Sequence, residues 1–124
     1  MPATVPDHLC RLFQQAMAAG DIEAVLNLYD PDAVFVNAAG TIIKGSHGLR
    51  QALAPLAAAQ TRFDFVIKQV VQAGDIALMH TAWTVSGPEP LHVYALEVAR
   101  RQGDGTWRWL IGDPYTVGRQ VGAG

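Results

Sequence analysis

Apolar residues between Asp7 and Ala19 fall at Leu9, Leu12, Phe13, Ala16 and Met17. Their i, i+3, i+4, i+7, i+8 spacing predicts an amphipathic helix, with Asp7 placed to cap it and Gly20 to stop it. A shorter helix is predicted where Ile22, Val25, Leu26 and Tyr29 share a face. Asp30-Pro31-Asp32 ends it, because proline cannot continue the backbone ladder. Ala33 to Asn37 reads as a strand, Ala38-Ala39-Gly40 as a turn and Thr41 to Ile43 as a short return strand. Ser46 is placed to cap a third helix with Leu49, Ala52, Leu53 and Leu56 inward, although Pro55 is at odds with its last turn.

Beyond Gln60 the period changes to two. Phe63, Phe65 and Ile67 alternate with Asp64, Val66 and Lys68, which predicts a strand. Gly74-Asp75 marks a tight turn, Ile76 to Ser86 the next strand, and Gly87-Pro88-Glu89-Pro90 a loop. Leu91 to Arg101 and Thr106 to Tyr115 are two further strands joined at Gly103-Asp104-Gly105, and Val117 to Gly124 reads as a frayed tail. Helices first and long antiparallel strands afterwards is an α+β order, expected as one domain over residues 1–124. Three short helices cover only one face of a curved sheet. The last strand is apolar on both sides, so Trp107, Trp109 and Ile111 are assigned to the uncovered outer face. Symmetric pairing of two copies through that face, a homodimer, is expected.

Half of the 124 residues are hydrophobic and 16% are charged, enough apolar material for a core with some left for a pocket or an interface. Net charge is −2, and Arg100-Arg101 is the only basic pair. No nucleic-acid partner is therefore expected. No run of 18 apolar residues suggests a membrane span, and no signal peptide is visible at the start. Cys10 is the single cysteine, and residence in the cytoplasm is the expectation. His8, His47, His80 and His92 lack ligand spacing, so no metal or cofactor is expected.

Several short blocks carry a family resemblance. Gly20-Asp21-Ile22-Glu23-Ala24-Val25, Leu28-Tyr29, Asp32-Ala33-Val34-Phe35 and Lys44-Gly45 resemble the first half of SnoaL-like and ketosteroid-isomerase-like proteins. Ala73-Gly74-Asp75-Ile76-Ala77-Leu78 and Asp104-Gly105-Thr106-Trp107-Arg108 are similar to the second half. The resemblance implies the nuclear-transport-factor-2-like (NTF2-like) cone, a curved antiparallel sheet wrapped around N-terminal helices. That fold hosts several chemistries and so names none. By motif position, Asn37 falls where the steroid isomerases carry an aspartate general base, and Phe13 where they carry an oxyanion-stabilising tyrosine. Glu97 falls on their protonated aspartic acid, and Tyr29 on a tyrosine of the supporting network. An amide cannot abstract a proton and a phenyl ring has no hydroxyl to donate, so a steroid isomerase using those groups is not expected.

Glu97 shares strand parity with Val93 and Ala95. The resemblance puts that face inside the cone, where burial would raise the carboxyl pKa into a range useful for acid–base work. The bland alternative is a glutamate facing solvent. Asn37 either binds a ligand oxygen or shapes a turn. Tyr29, at the end of the second helix, either packs or orients a ligand oxygen. Trp83 and Phe35 would enclose a carbon skeleton. His80 is placed on the opposite, outer face from Met79, Thr81 and Trp83. Asp113 reads as a strand terminator beside Pro114 unless a bulge turns it inward. Cys10 reads as a small buried hydrophobe. Phe13, Tyr29, Phe35, Asn37, Trp83 and Glu97 are thus expected around one cavity, with Glu97 its only ionisable group. The expected function is a pocket for a small, mostly apolar, oxygen-bearing molecule. Proton-transfer catalysis by Glu97 stands against a non-catalytic binding module and a structural homodimer.

Overall fold

The computed structural model describes residues 2–118. Helix α1 spans His8–Ala19, and Leu9, Cys10, Phe13, Ala16 and Met17 form its buried stripe. Gly20 closes it with φ of 71°, and its N–H bonds back to Met17 O at 3.0 Å. That left-handed turn is open to glycine at little steric cost. Asp7 precedes α1 but makes no side-chain cap. Helix α2 is only Ile22–Leu26, capped by Asp21, whose carboxylate accepts from Ala24 N–H at 3.1 Å.

Tyr29 does not end that helix, contrary to the periodicity. It opens strand β1, Tyr29–Val36, which carries Asp30-Pro31-Asp32 within it. Asp30 Oδ1 accepts from Asp32 N–H at 2.8 Å. The two Asp30 oxygens also take a forked pair of bonds from Arg100, at 3.0 and 2.8 Å, and one from Gln102 at 2.9 Å. This polar clamp satisfies a nearly fully buried carboxylate where β1 pairs irregularly with the last strand.

The hairpin partner β2 is Ile42–Lys44, and helix α3 follows at Gly45–Ala58. Lys44 rather than Ser46 precedes it, and Pro55 lies inside it. Pro55 is exposed, and its carbonyl still accepts from Ala59 N–H at 3.1 Å, so the last turn closes. Strands β3 (Phe63–Ala73), β4 (Ile76–Val85), β5 (Leu91–Arg101) and β6 (Trp107–Asp113) complete the chain. The frayed tail expected from Val117 onward mostly lies outside the described residues, and 116–118 form a helical turn.

All six strands join one sheet in the order β2-β1-β6-β5-β4-β3. Every pair is antiparallel except β1 with β6, which is parallel. The first hairpin therefore extends the main sheet. The curved sheet closes around α1 and α3 in an α+β cone, and the core lies between them.

One register shift corrects the sequence reading. On β5, Val98 pairs with Ile111 and Ala99 with Trp109, so Leu110 is an extra residue in β6. This bulge changes which face later residues occupy. Trp107 and Trp109 point into the core and are 3% exposed, whereas Ile111 is 42% exposed on the outside. The assignment of both tryptophans to the outer face is wrong. Burying two indoles is worth more than burying Leu110, and the bulge lets the strand do so without turning Ile111 inward.

Candidate functional site

Five of the six side chains expected around one cavity meet there. Phe13 comes from α1, Tyr29 and Phe35 from β1, Trp83 from β4 and Glu97 from β5. They line a cavity of about 100 Å³, completed by Leu53 and Leu56 of α3 and by Trp109. Leu91, 49% exposed, and Tyr115 mark its outer rim. Asn37 is not brought to the cavity. Its Oδ1 accepts from Ala39 N–H at 3.0 Å and from Thr41 N–H at 2.9 Å, so its amide shapes the β1–β2 turn.

The inner wall is a cluster of crossed aromatic rings. Phe13 meets Phe63, Trp83 and Trp109 edge-on at centroid distances of 5.0, 5.4 and 5.6 Å. Such geometry places the positive ring edge against the negative face. This cluster holds the indoles rigid at the cavity surface, and it gives Phe13 a packing role where a hydroxyl is absent.

Glu97 is 7% exposed at this surface. The pleat of β5 turns it inward with Ala95 and Ala99, both buried. Thr81 O–H donates to Oε1 at 2.8 Å, and Trp83 Nε1–H donates to Oε2 at 3.2 Å. Both donors come from the inward face of β4. Burial disfavours the carboxylate, and the two bonds only partly offset that, so the pKa is pushed up to about 7. Each oxygen keeps a lone pair, so Glu97 can take or give a proton near neutral pH.

Tyr29 supplies what the sequence reading lacked, a donor beside the acid. Its ring tilts against Trp109 at 5.4 Å, and its hydroxyl makes no hydrogen bond among the described residues. Burial, then the charge of Glu97, raises its pKa, so it stays a protonated donor. Trp109 carries a second unpartnered donor, sealed off from the cavity. Among the described residues, its Nε1 is the buried side-chain polar atom with no partner. An orphaned buried donor costs about 1–3 kcal/mol.

Glu97 is not the only ionisable residue of the wall, which also includes Asp113, Tyr29 and Tyr115. Asp113 Oδ1 accepts from Tyr115 and Thr116 N–H at 3.3 and 3.1 Å, so it works mainly as a terminator at the rim. His80 lies on the outer face, 6.3 Å from the Tyr94 ring. Cys10 is buried, 4.0 Å from Thr81 Oγ1, and burial raises its thiol pKa, so it is no nucleophile. A larger groove of about 440 Å³ lies between α1, α2 and Trp107, but among the described residues no carboxylate lines it. Among the described residues no three His, Cys, Asp or Glu side chains converge as metal ligands. Nor is any helix there long and apolar enough to cross a membrane.

Thr81 and Trp109 were not assigned to the site from sequence. Thr81 shares parity with Trp83, which was signal enough. Trp109 was hidden by the bulge.

A curved sheet closed over helices, with a buried acid in its hollow, defines an NTF2-like cone. Residues 10–111 match the SnoaL-like domain, and the chain belongs to that family. No curated protein sequence matches it. A Thiobacillus denitrificans protein, provisionally named a calcium/calmodulin-dependent protein kinase type II association domain, superposes with a TM-score of 0.76 at 17% identity. That match covers 94% of this chain and 99% of the other. A Streptomyces avermitilis protein, provisionally named a dehydratase of the NTF2-like family, gives 0.67 at 20% identity over 87% and 91% of the two chains. A ketosteroid isomerase-like protein from Erwinia carotovora gives 0.61 at 20% identity over 86% and 89%. The likeness at these identities is one of fold, and the differing names show why the fold names no reaction.

Proposed function

We propose that the cavity binds a small, mostly apolar, oxygen-bearing molecule and that Glu97 exchanges a proton with it. The observation that carries this reading is a buried carboxyl poised near pH 7 beside the free hydroxyl of Tyr29. Proton transfer at carbon needs a base and a donor for the developing oxyanion, and these two residues supply both. In the step we envisage, the Glu97 carboxylate takes a proton from the carbon next to a ligand carbonyl. The electrons of that C–H bond move into the carbonyl, and Tyr29 O–H hydrogen-bonds the enolate oxygen. Glu97, now neutral, returns the proton to a different carbon of the same ligand, which is an isomerisation. No cofactor or co-reactant is required.

The test uses cyclohex-3-enone and follows ultraviolet absorbance as the double bond moves into conjugation. The rate should rise with pH through about 7 as Glu97 ionises, and Glu97→Gln should abolish it. A wild-type protein that binds the ketone without moving a proton above pH 8 would leave only the binding-module reading.

A second reading concerns assembly. The middle of the outer face carries Leu78, His80 and Ala82 from β4 and Tyr94, Leu96 and Val98 from β5, with no Asp, Glu, Lys or Arg among them. Leu78, Val66 and Ile111 are exposed there. This supports a homodimer through the outer face, now without the tryptophans. The lone buried thiol of Cys10 suits the reducing cytoplasm.

A further inference from the structure

We infer that Thr81 is a positioning residue for Glu97: a hydrogen-bond chain from the Cys10 thiol through the Thr81 hydroxyl to Glu97 Oε1 holds the carboxyl in one orientation. This deepens the proposed function and rests on its reading of Glu97 as the group that exchanges a proton. Glu97 pairs across the strands with Met79, yet its oxygens accept from Thr81 at 2.8 Å and from Trp83 at 3.2 Å. The side chain therefore leans along β5 past Ala95, the cross-strand partner of Thr81. Ala95 is buried and ends at its Cβ, which leaves the carboxyl room to lean. Thr81 and Trp83 are successive inward positions of β4, and each takes one oxygen. Two donors on separate oxygens fix the plane of a carboxyl that its side-chain torsions would otherwise leave free.

The chemistry of the three groups gives the chain its direction. Cys10 Sγ lies 4.0 Å from Thr81 Oγ1, and by distance either could donate. Burial, then the charge of Glu97, raises the Cys10 pKa, so the sulfur keeps its proton. A carboxylate can only accept. Thr81 has one proton to give, and the Glu97 oxygen at 2.8 Å takes it, which leaves the hydroxyl lone pairs to the thiol. Thr81 is fully buried, and its β-branched side chain has few rotamers, so the donor is preset. Trp83 is part of the cavity wall, whereas Thr81 is not among the described residues that line it. A donor aimed at the carboxylate also favours the charged form against the effect of burial. Without it, Glu97 would hold its proton to higher pH and turn more freely.

Thr81→Val keeps the shape of the side chain and loses the hydroxyl, and Thr81→Ser keeps the hydroxyl and loses the methyl. In both variants and the wild type the Glu97 pKa is read by carboxyl ¹³C NMR, its signal being the one that Glu97→Gln removes. Rates on cyclohex-3-enone are measured from about pH 5 to about pH 9. Thr81→Val should raise the Glu97 pKa from about 7 to about 8 or above, the worth of one hydrogen bond to a charged group. On the alkaline plateau its kcat should be at least about tenfold below wild type with KM within about twofold, because the carboxyl is misplaced and the wall is not. Thr81→Ser should restore both the pKa and kcat. A packing role alone would reverse that order, since it needs the methyl and not the hydroxyl. An unchanged Glu97 pKa in Thr81→Val, or a serine variant as impaired as the valine one, overturns the positioning. The wild type supplies a check that needs no variant. Its Thr81 hydroxyl proton, buried and held at 2.8 Å, should exchange with water slowly enough to give its own NMR signal. Exchange as fast as that of an exposed threonine overturns the chain. The two proposals fail separately. The valine shift and the serine rescue, without isomerisation by the wild type, leave the positioning and remove the catalysis. Isomerisation that survives Thr81→Val with the same pH profile and kcat removes only the positioning.

Discussion

Replacing Glu97 by glutamine removes one titrating proton and little else. The introduced carbonyl can accept from Trp83 Nε1–H, and the introduced amide can donate to Thr81 Oγ1, so both present partners stay engaged. The energetic consequence comes from linkage. In the unfolded chain this carboxyl ionises near 4.5, but in the folded protein it holds its proton to about 7. Between those values the native state binds more protons than the unfolded state, so stability falls as pH rises. Each unit is worth about 1.4 kcal/mol, and the full window comes to about 3 kcal/mol. Below about pH 4.5 the variant and the wild type should be nearly equally stable. Above pH 7 the variant should be more stable by about 3 kcal/mol, which for a chain of this size is roughly 10 °C in Tm. Thermal melts followed by circular dichroism at about pH 4.5 and about pH 8.5 read this as a double difference. General acid effects common to both proteins cancel. A difference that does not change with pH would mean that Glu97 ionises normally, and the desolvated acid–base site would be lost with it.

Asp30 should behave with the opposite sign. Burial raises its pKa, but the bonds from Arg100 and Gln102 outweigh that and hold it below 3.8, so its contribution is present at neutral pH and lost on acidification. Asp30→Asn should cost about 2 kcal/mol at pH 7 in urea unfolding and progressively less as pH falls below 3.8; a cost that persists in acid would refute the clamp. Phe13→Ala should cost about 3–5 kcal/mol, because it empties the centre of the ring cluster; a loss under 1 kcal/mol would contradict that packing. Leu78→Glu should leave the circular dichroism spectrum intact and give a monomer by sedimentation, since it places a charge in the proposed subunit interface. A wild-type protein that is itself monomeric at micromolar concentration would end the dimer reading.

The periodicity of the chain determined the element order, the inward stripe of α1 and the parity that turns Glu97, Thr81 and Trp83 to one side. These are local properties, fixed by 3.6- and 2-residue repeats and by which residues prefer to leave water. Motif order also carried the cone, and with it five of the six wall residues. Three features belonged to the tertiary structure alone. Tyr29 fits a helical face as well as a strand, and only pairing of β1 with β6 decided between them. The Asn37 amide had two uses open to it, and the nearby N–H groups of Ala39 and Thr41 took it for the turn. Trp107 and Trp109 followed the pleat correctly relative to each other, but one extra residue at Leu110 separated them from Ile111. A bulge costs little and leaves no mark in a period-two pattern, so the face of a strand beyond it is set by what the core has room to bury. That one residue decides whether Trp109 is part of the outer face or of the cavity wall.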